Sequence, residues 1–234
     1  MNNLANILSY LSLVFGFASI IFSLEAHFTF ASWAIIVSMI FDGLDGQLAR
    51  RNPVPSEFGK ELDSLVDVVA FGIAPSLLGY IFVYRDFHFW GTGILFIYLF
   101  CSVQRLAKYN VTPKEKMANF FYGLPTTVSG GTLASFILIY RKKGVEILPA
   151  YVPFFFIAMA LVLALLMVSQ IRYLNLDGMR MVLRNKKPLI IAIFILIVIE
   201  SAVFKKAGTT MFICFLIYLL FSPVVVKRMN SNNH

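Results

Sequence analysis

Long apolar segments separated by short polar ones run along almost the whole chain. Each segment is about 20 residues long, which is the length that a helix needs to cross a bilayer. The hydropathy pattern predicts eight membrane-spanning helices, at about residues 4–24, 28–51, 57–84, 90–108, 124–140, 149–173, 188–204 and 208–226. These segments leave no room for a sizeable soluble domain. The predicted fold is therefore an all-α, polytopic membrane helix bundle.

Composition agrees with this pattern. The chain has 234 residues, of which 59% are hydrophobic and only 14% are charged, and its mean hydropathy is +0.79. Soluble domains carry about 25% charged residues, so the balance here is typical of a multi-pass integral membrane protein. A single membrane domain over residues 1–234 is expected.

The distribution of cations predicts an orientation. With eight spans, fourteen of the twenty Lys and Arg residues fall on one side of the membrane, which by the positive-inside rule is the cytoplasmic side. Both termini and an acidic stretch at residues 42–67 lie on that side. The run Arg141-Lys142-Lys143 lies on the other side and opposes the assignment. The net charge of +8 is dispersed over short loops, which favours anionic lipid headgroups over nucleic acid as partners.

Half of the twelve acidic residues are concentrated in 26 consecutive positions that end one apolar span and begin the next. They are Asp42, Asp45, Glu57, Glu61, Asp63 and Asp67. A carboxylate inside a membrane helix costs on the order of 2.5 to 3.5 kcal/mol, so a group of them needs a compensating partner or access to water. On a helix, the first two Asp residues share one face and the last two share another. Two helices can therefore direct four carboxylates into one volume.

A divalent metal is the expected partner of these carboxylates. Four like charges repel one another, and Mg²⁺ or Mn²⁺ relieves the repulsion by accepting hard oxygen ligands. Two such ions are typical of phosphoryl displacement. The predicted metal ligands are Asp42, Asp45, Asp63 and Asp67. Glu57 and Glu61 lie near the start of the third span, where a solvated face is the better interpretation.

Small residues and one cation accompany the acids. Gly46, Ala49 and Gly59 leave the facing helices without bulk where a nucleotide must approach, and Arg50 supplies a cation for phosphate. An isolated pair of carboxylates near a membrane interface is more often solvated or paired with Arg. A divalent-cation or proton-coupled transporter also places acids within the membrane. However, the cluster lies at one face, and the last five spans contain no second copy of it, unlike the internal repeats common in transporters.

The residues of this stretch match the signature D-x-x-D-G-x-x-A-R-x(8)-G-x-x-x-D-x-x-x-D at all eight fixed positions. The chain thus resembles the CDP-alcohol phosphotransferase family. The resemblance implies a CDP-linked lipid as donor, with diacylglycerol or archaeol as its lipid, and the release of CMP when a hydroxyl attacks the lipid-bearing phosphate. By position, Asp42, Asp45 and Asp63 hold the metal ions, and Asp67 shares one and acts as the base. Gly46, Ala49, Arg50 and Gly59 contact the CDP-lipid.

Segments outside the signature resemble one subgroup, the phosphatidylserine synthases. They are Phe58–Asp67, Phe71–Pro75, Arg105–Asn110 and Gly123–Pro125. The resemblance extends to about residue 173, so a family core over 1–173 and two additional spans within 188–226 are expected. It implies L-serine as the acceptor alcohol, and a homodimer. Ser12, Lys108 and Thr127 depart from the subgroup's pattern, and glycerol phosphate or inositol phosphate is the alternative acceptor.

An amino-acid acceptor needs a cation for its carboxylate, which the shared signature does not supply. Arg105, Lys108 and Arg172 are the candidates, and each lies near the cytoplasmic end of a predicted span. A cation at that position is also typical of a side chain that anchors the helix at the interface. Arg105 is favoured because it lies in a segment that resembles the family and because its planar fork suits a carboxylate.

Overall fold

The structure is a computed structural model, and it describes residues 2–51, 56–83, 88–112, 120–141, 149, 151–175, 178–179 and 207–231. Its helices are α1 (Asn2–Leu24), α2 (Phe28–Arg51), α3 (Glu57–Asp67), a π-helical segment (Val68–Ile73), α4 (Ala74–Val83), α5 (His88–Val111), α6 (Thr126–Arg141), α7 (Tyr151–Val168) and α8 (Ala207–Ser231). Two short strands, β1 (Phe120–Tyr122) and β2 (Arg172–Leu174), form an antiparallel pair.

The predicted all-α membrane bundle is confirmed. Within the described ranges, five helical stretches are long and apolar enough to cross a membrane: Asn3–Leu24, Phe28–Arg50, Glu57–Val83, Tyr151–Val168 and Ala207–Arg228. The predicted span 90–108 coincides with α5, which has 24 residues. The span predicted at 124–140 forms a shorter apolar helix, Thr126–Tyr140. The span predicted at 188–204 lies outside the described residues.

The third span is continuous from α3 through the π-helical segment into α4. At its start, the Ser56 side chain accepts a hydrogen bond from the backbone N–H of Gly59 at 3.1 Å, which caps α3. Further along, the N–H of Ala74 donates to the carbonyl of Val69, five residues earlier, and Pro75 follows without an N–H to donate. The widened turn therefore begins directly after Asp67 and ends next to the proline.

Helix α7 ends earlier than its predicted boundary at residue 173. It ends at Val168, because the Ser169 hydroxyl donates to the carbonyl of Leu166 at 2.8 Å and accepts from the N–H of Ile171 at 3.3 Å. The chain then enters β2, and its pairing with β1 is an element that the hydropathy pattern did not predict. The N–H of Leu124 donates to the Leu166 carbonyl as well, at 3.0 Å. The turn after β1 thus takes the place of another turn of α7.

Close helix contacts hold α1 against its neighbours. Ser12 on α1 and Ser38 on α2 are both fully buried, and their hydroxyls lie 2.8 Å apart. A Cβ built on Gly16 would lie 2.9 Å from the Cα of Ala70, so only glycine permits this approach of α1 to the π-helical segment. These contacts fix α1 and α2 beside the helix that carries the second pair of aspartates.

Candidate active site

Three carboxylates from two helices converge on one point. Asp42 projects from α2, and Asp63 and Asp67 project from α3. Each offers one oxygen, and the three oxygens lie within 4.8 Å of one another. Asp67 is buried, with 8% of its surface exposed, whereas the other two are half-buried. The i, i+4 spacing of the α3 pair produces the shared face that the sequence predicted.

Asp42, Asp63 and Asp67 form an acidic group that fits a divalent cation. Among the residues that the structure describes, Asp67 Oδ1 is fully buried and has no hydrogen-bond partner, although the carboxyl group of Asp67 lies within hydrogen-bonding distance of that of Asp42. A buried oxygen without a donor is costly unless a cation or proton satisfies it. Hard carboxylate oxygens are the ligands that Mg²⁺ and Mn²⁺ take. The donor set and the unsatisfied oxygen therefore suit the predicted kind of ion.

Asp45 lies beside the acidic group but outside the set of converging oxygens. Its side chain is 3% exposed, and its Oδ2 accepts a hydrogen bond of 2.7 Å from the hydroxyl of Ser9 on α1. A residue of the first span thus orients one of the predicted ligands. Sequence reasoning did not identify Ser9. Its signal was a polar residue within an apolar span, repeated one turn later at Ser12.

The residues assigned to the CDP-lipid lie at the end of α2 and the start of α3. Ala49 and Arg50 are exposed, and Arg50 Nε donates to the carbonyl of Gly46 at 3.0 Å. Among the described residues, a Cβ on Gly46 would meet Arg50 Nη2 alone, at 3.8 Å, which leaves open space beside this glycine. Gly59 is tighter, because a Cβ there would lie 3.1 Å from Asn6 Oδ1. Gly59 therefore also has a packing role between α3 and α1.

Arg105 is buried next to the acidic group. It projects from α5, is 9% exposed, and lies close enough to Asp67 and Asp42 to attract both electrostatically. Its Nη1 donates to Thr126 Oγ1 at 3.2 Å, and its Nε is buried without a partner in the described part of the chain. Its Cζ lies 5.4 Å from the centre of the Tyr109 ring. A desolvated guanidinium with an unused donor can accept an anionic ligand.

The other two predicted acceptor ligands have different surroundings from Arg105. Lys108 is exposed at the end of α5. Arg172 lies over the ring of Phe120, with its Cζ 4.8 Å from the ring centre. Opposed residues of an antiparallel pair share a face, and Arg172 opposes Tyr122 whereas Tyr173 opposes Phe121. Arg172 is therefore on the opposite face of the strand pair from Phe121.

Phe121 and Thr126 complete the surroundings of Arg105, and sequence reasoning did not identify either. The centre of the Phe121 ring lies 5.8 Å from the Cζ of Arg105 and 5.6 Å from the centre of the Tyr109 ring. The signals were three consecutive aromatic residues at 120–122 in a polar connection, and a Thr two positions after the Gly123-Leu124 pair. Neither signal indicates which side chains meet, because the contacts are between different elements.

A polar network joins the helix of the acidic group to the helix of Arg105. Lys60 Nζ on α3 donates to the carbonyl of Asn110 on α5 at 2.6 Å. The side-chain amide of Asn110 donates in turn to Ser64 Oγ at 2.8 Å, and Ser64 Oγ donates to the Lys60 carbonyl at 3.1 Å. These bonds fix the end of α5 relative to α3, and so fix the position of Arg105 relative to Asp67.

Comparison with known proteins gives the same family as the signature. A model of the CDP-alcohol phosphatidyltransferase family matches residues 2–168. A CDP-diacylglycerol–serine O-phosphatidyltransferase of Helicobacter pylori is 31% identical over 220 residues, which cover 94% of this chain and 89% of that protein. An archaetidylserine synthase of Methanothermobacter thermautotrophicus is 32% identical over 75% of this chain and 71% of its own length. The chain therefore belongs to the CDP-alcohol phosphatidyltransferase family.

Proposed function

We propose that this protein transfers a phosphatidyl-type group from a CDP-linked lipid to the hydroxyl of L-serine and releases CMP, in a reaction that depends on Mg²⁺ or Mn²⁺. The observation that carries the proposal is the buried guanidinium of Arg105 beside the converging carboxylates of Asp42, Asp63 and Asp67. The three carboxylates suit a metal-bound pyrophosphate, and the guanidinium suits the carboxylate of an amino acid. The names of the two relatives, which specify serine as acceptor, support the same substrate.

The reaction is a displacement at the lipid-bearing phosphorus. The serine hydroxyl oxygen forms a bond to that phosphorus, and the bond between the phosphorus and the bridging oxygen of the pyrophosphate breaks, so that CMP leaves with the bonding electrons. The hydroxyl proton moves to a carboxylate oxygen. We assign this role to Asp67, because its Oδ1 is buried and no described residue forms a hydrogen bond with it. General-base assistance of this kind contributes about 10² to 10⁴-fold.

Asp42, Asp63 and Asp67 are the proposed metal ligands, with Asp45 as the fourth, oriented by Ser9. When bound by these residues, divalent cations would neutralise charge that develops on the phosphates during the transfer. The open space beside Gly46 and the exposed Arg50 face the end of the bundle where we place the nucleotide and its phosphates.

The acceptor is placed by Arg105. Its guanidinium would pair with the serine carboxylate through the donor that the protein leaves unused, while Thr126 holds the other side of the fork. Lys108 and Arg172 are the alternatives that the sequence offered. The side chain of Lys108 is exposed, and the guanidinium of Arg172 lies over an aromatic ring. We therefore propose Arg105 as the acceptor ligand.

We also propose that the site faces the cytoplasm, on the strength of the excess of Lys and Arg at that side. A homodimer, and the division into a core over 1–173 with two additional spans, remain predictions.

The decisive experiment uses the purified full-length chain in detergent with CDP-diacylglycerol, Mn²⁺ or Mg²⁺, and a panel of labelled alcohols: L-serine, glycerol 3-phosphate and inositol phosphate. We expect labelled lipid and CMP in equal amounts with L-serine, and loss of both when EDTA removes the metal. If more lipid formed with another alcohol than with L-serine, that alcohol would be the acceptor and the proposal of serine would be wrong.

The same assay with CDP-archaeol in place of CDP-diacylglycerol defines the lipid donor. Vesicles containing the protein test the alternative that it is a divalent-cation or proton-coupled transporter. Divalent-cation or proton flux across them, without CMP release under any of these conditions, would overturn the enzymatic proposal in favour of a transporter.

A further inference from the structure

Helix α8 lies beyond the residues that match the family model, which end at residue 168. Two of its side chains nevertheless bind the main chain of β2. The hydroxyl of Tyr218 donates to the carbonyl of Leu174 at 2.8 Å, and the hydroxyl of Ser222 accepts from the N–H of Leu174 at 2.6 Å. Both polar groups of this one residue are thus satisfied by α8. Tyr218 and Ser222 are four residues apart and so share a face of the helix.

These contacts are inside the protein rather than on its surface. Ser222 is 4% exposed, Leu174 is 7% exposed and Tyr173 is 1% exposed. The rings of Tyr218 and Tyr173 stack, with centres 6.1 Å apart and an interplanar angle of 23°. A hydrogen bond lost from such a place leaves a buried group unsatisfied, which costs more than losing an exposed bond.

The strand that α8 holds leads directly to the proposed acceptor ligand. Tyr173 of β2 is paired with Phe121 of β1, and opposed residues of the pair share a face. The ring of Phe121 in turn lies against the guanidinium of Arg105. A continuous series of contacts therefore runs from α8 through the strand pair to Arg105.

We propose that Tyr218 and Ser222 of α8 are positioning residues for the acceptor alcohol, which hold β2 at Leu174 and thereby keep Phe121 against Arg105. This inference rests on the proposed function, because it takes Arg105 as the ligand of the acceptor carboxylate. It assigns α8 a part in substrate affinity, although α8 carries none of the family signature.

The test uses Tyr218→Phe and Ser222→Ala in the full-length chain, each of which removes one hydroxyl and leaves the rest of α8 unchanged. We expect each variant to raise KM for L-serine about three- to tenfold, the effect of one lost buried hydrogen bond. KM for CDP-diacylglycerol and kcat at saturating serine should change less than about twofold, since the acidic group is unaffected.

Matched controls separate positioning from loss of packing. Tyr10→Phe alters an exposed tyrosine of α1, and Ser135→Ala alters a buried serine whose hydroxyl bonds within its own helix, α6, to the carbonyl of Thr132 at 3.0 Å. Both should leave KM for L-serine unchanged. If Ser222→Ala and Ser135→Ala lowered the melting temperature equally and neither changed KM for L-serine, the role of α8 would be structural and the proposal wrong.

A further variant distinguishes failure of this inference from failure of the proposed function. Arg105→Gln should raise KM for L-serine by itself, and Tyr218→Phe should add little in the Arg105→Gln background, because coupled residues are not additive. An effect of Arg105→Gln without any effect of Tyr218→Phe or Ser222→Ala refutes the role of α8 alone. No effect of Arg105→Gln refutes the acceptor assignment on which the inference rests.

Discussion

The two sides of the candidate site are built in different ways. The acidic side is formed by Asp42, Asp63 and Asp67, which lie on two helices that are consecutive in sequence. The acceptor side is formed around Arg105 by Tyr109, Phe121 and Thr126, which come from α5, β1 and α6. Helical periodicity places the aspartates of α3 on one face, whereas the second combines side chains from two helices and a strand, which no single periodicity brings together.

This difference separates chemistry from selectivity. In the proposed reaction, a short segment with fixed spacing supplies the groups that act on the pyrophosphate, and these groups would be needed with any acceptor alcohol. The proposed ligand of Arg105 is the acceptor, and the same guanidinium also lies beside Asp67 and Asp42. Substitutions on the acidic side should therefore lower turnover with every alcohol, whereas substitutions on the acceptor side should alter affinity for one substrate.

The largest effect is expected from Asp67→Asn. Removing the proposed base and one metal ligand should lower kcat by about 10³-fold or more with L-serine or any other accepted alcohol. The measurement is CMP release at saturating substrates. The control is Glu61→Gln on the same helix. Because the side chain of Glu61 is exposed, kcat should change less than about twofold. A loss confined to one alcohol would break the proposed separation of the two sides.

The second largest effect is expected from Arg105→Gln. Loss of the buried cation should raise KM for L-serine about 10- to 100-fold, because a charge-assisted contact in a desolvated site is removed. Lys108→Gln and Arg172→Gln should raise it less than about threefold. Steady-state kinetics with each substrate varied in turn give the comparison. The assignment would be contradicted if Arg105→Gln raised KM for the CDP-lipid as much as it raised KM for L-serine.

The third prediction concerns the turn between β1 and α6. Gly123 has φ of +77°, and a Cβ there would clash with the carbonyl oxygen of Met167. Gly123→Ala should therefore lower the free energy of unfolding by about 2 kcal/mol or more. Thermal melting in detergent measures this. Gly93→Ala on α5, where a Cβ meets nothing within 4 Å, should not lower the melting temperature. An unchanged melting temperature in Gly123→Ala would mean that the turn rearranges freely.

The smallest effect is expected from Ser9→Ala. The variant removes the hydrogen bond to Asp45 Oδ2 and should lower kcat about three- to tenfold, because one metal ligand is less well oriented. Ser23→Ala is the matched control, since the buried hydroxyl of Ser23 bonds within its own helix, to the carbonyl of Ser19 at 2.7 Å. If kcat were unaltered in Ser9→Ala, Ser9 would have no part in orienting a metal ligand, and the acidic side would consist of residues from α2 and α3 alone.

Much of the fold was predictable from hydropathy, because each span is defined by a local run of apolar residues. The exceptions lie where contacts with other elements decide the backbone. Helix α7 stops at Val168 rather than at 173, since Ser169 and the turn after β1 take the hydrogen bonds that another helical turn would need. The strand pair could not be read from two three-residue segments without knowing that they meet.

The sequence by itself determined the membrane bundle and the convergence of carboxylates, because membrane helices have a fixed length and a fixed angular repeat. Four spaced aspartates on consecutive helices are enough to indicate a metal site. Only the tertiary structure placed Arg105, rather than Lys108 or Arg172, next to Asp67, separated Asp45 from the converging oxygens, and connected α8 to β2. Those arrangements depend on which side chains meet across the bundle, and no local spacing encodes them.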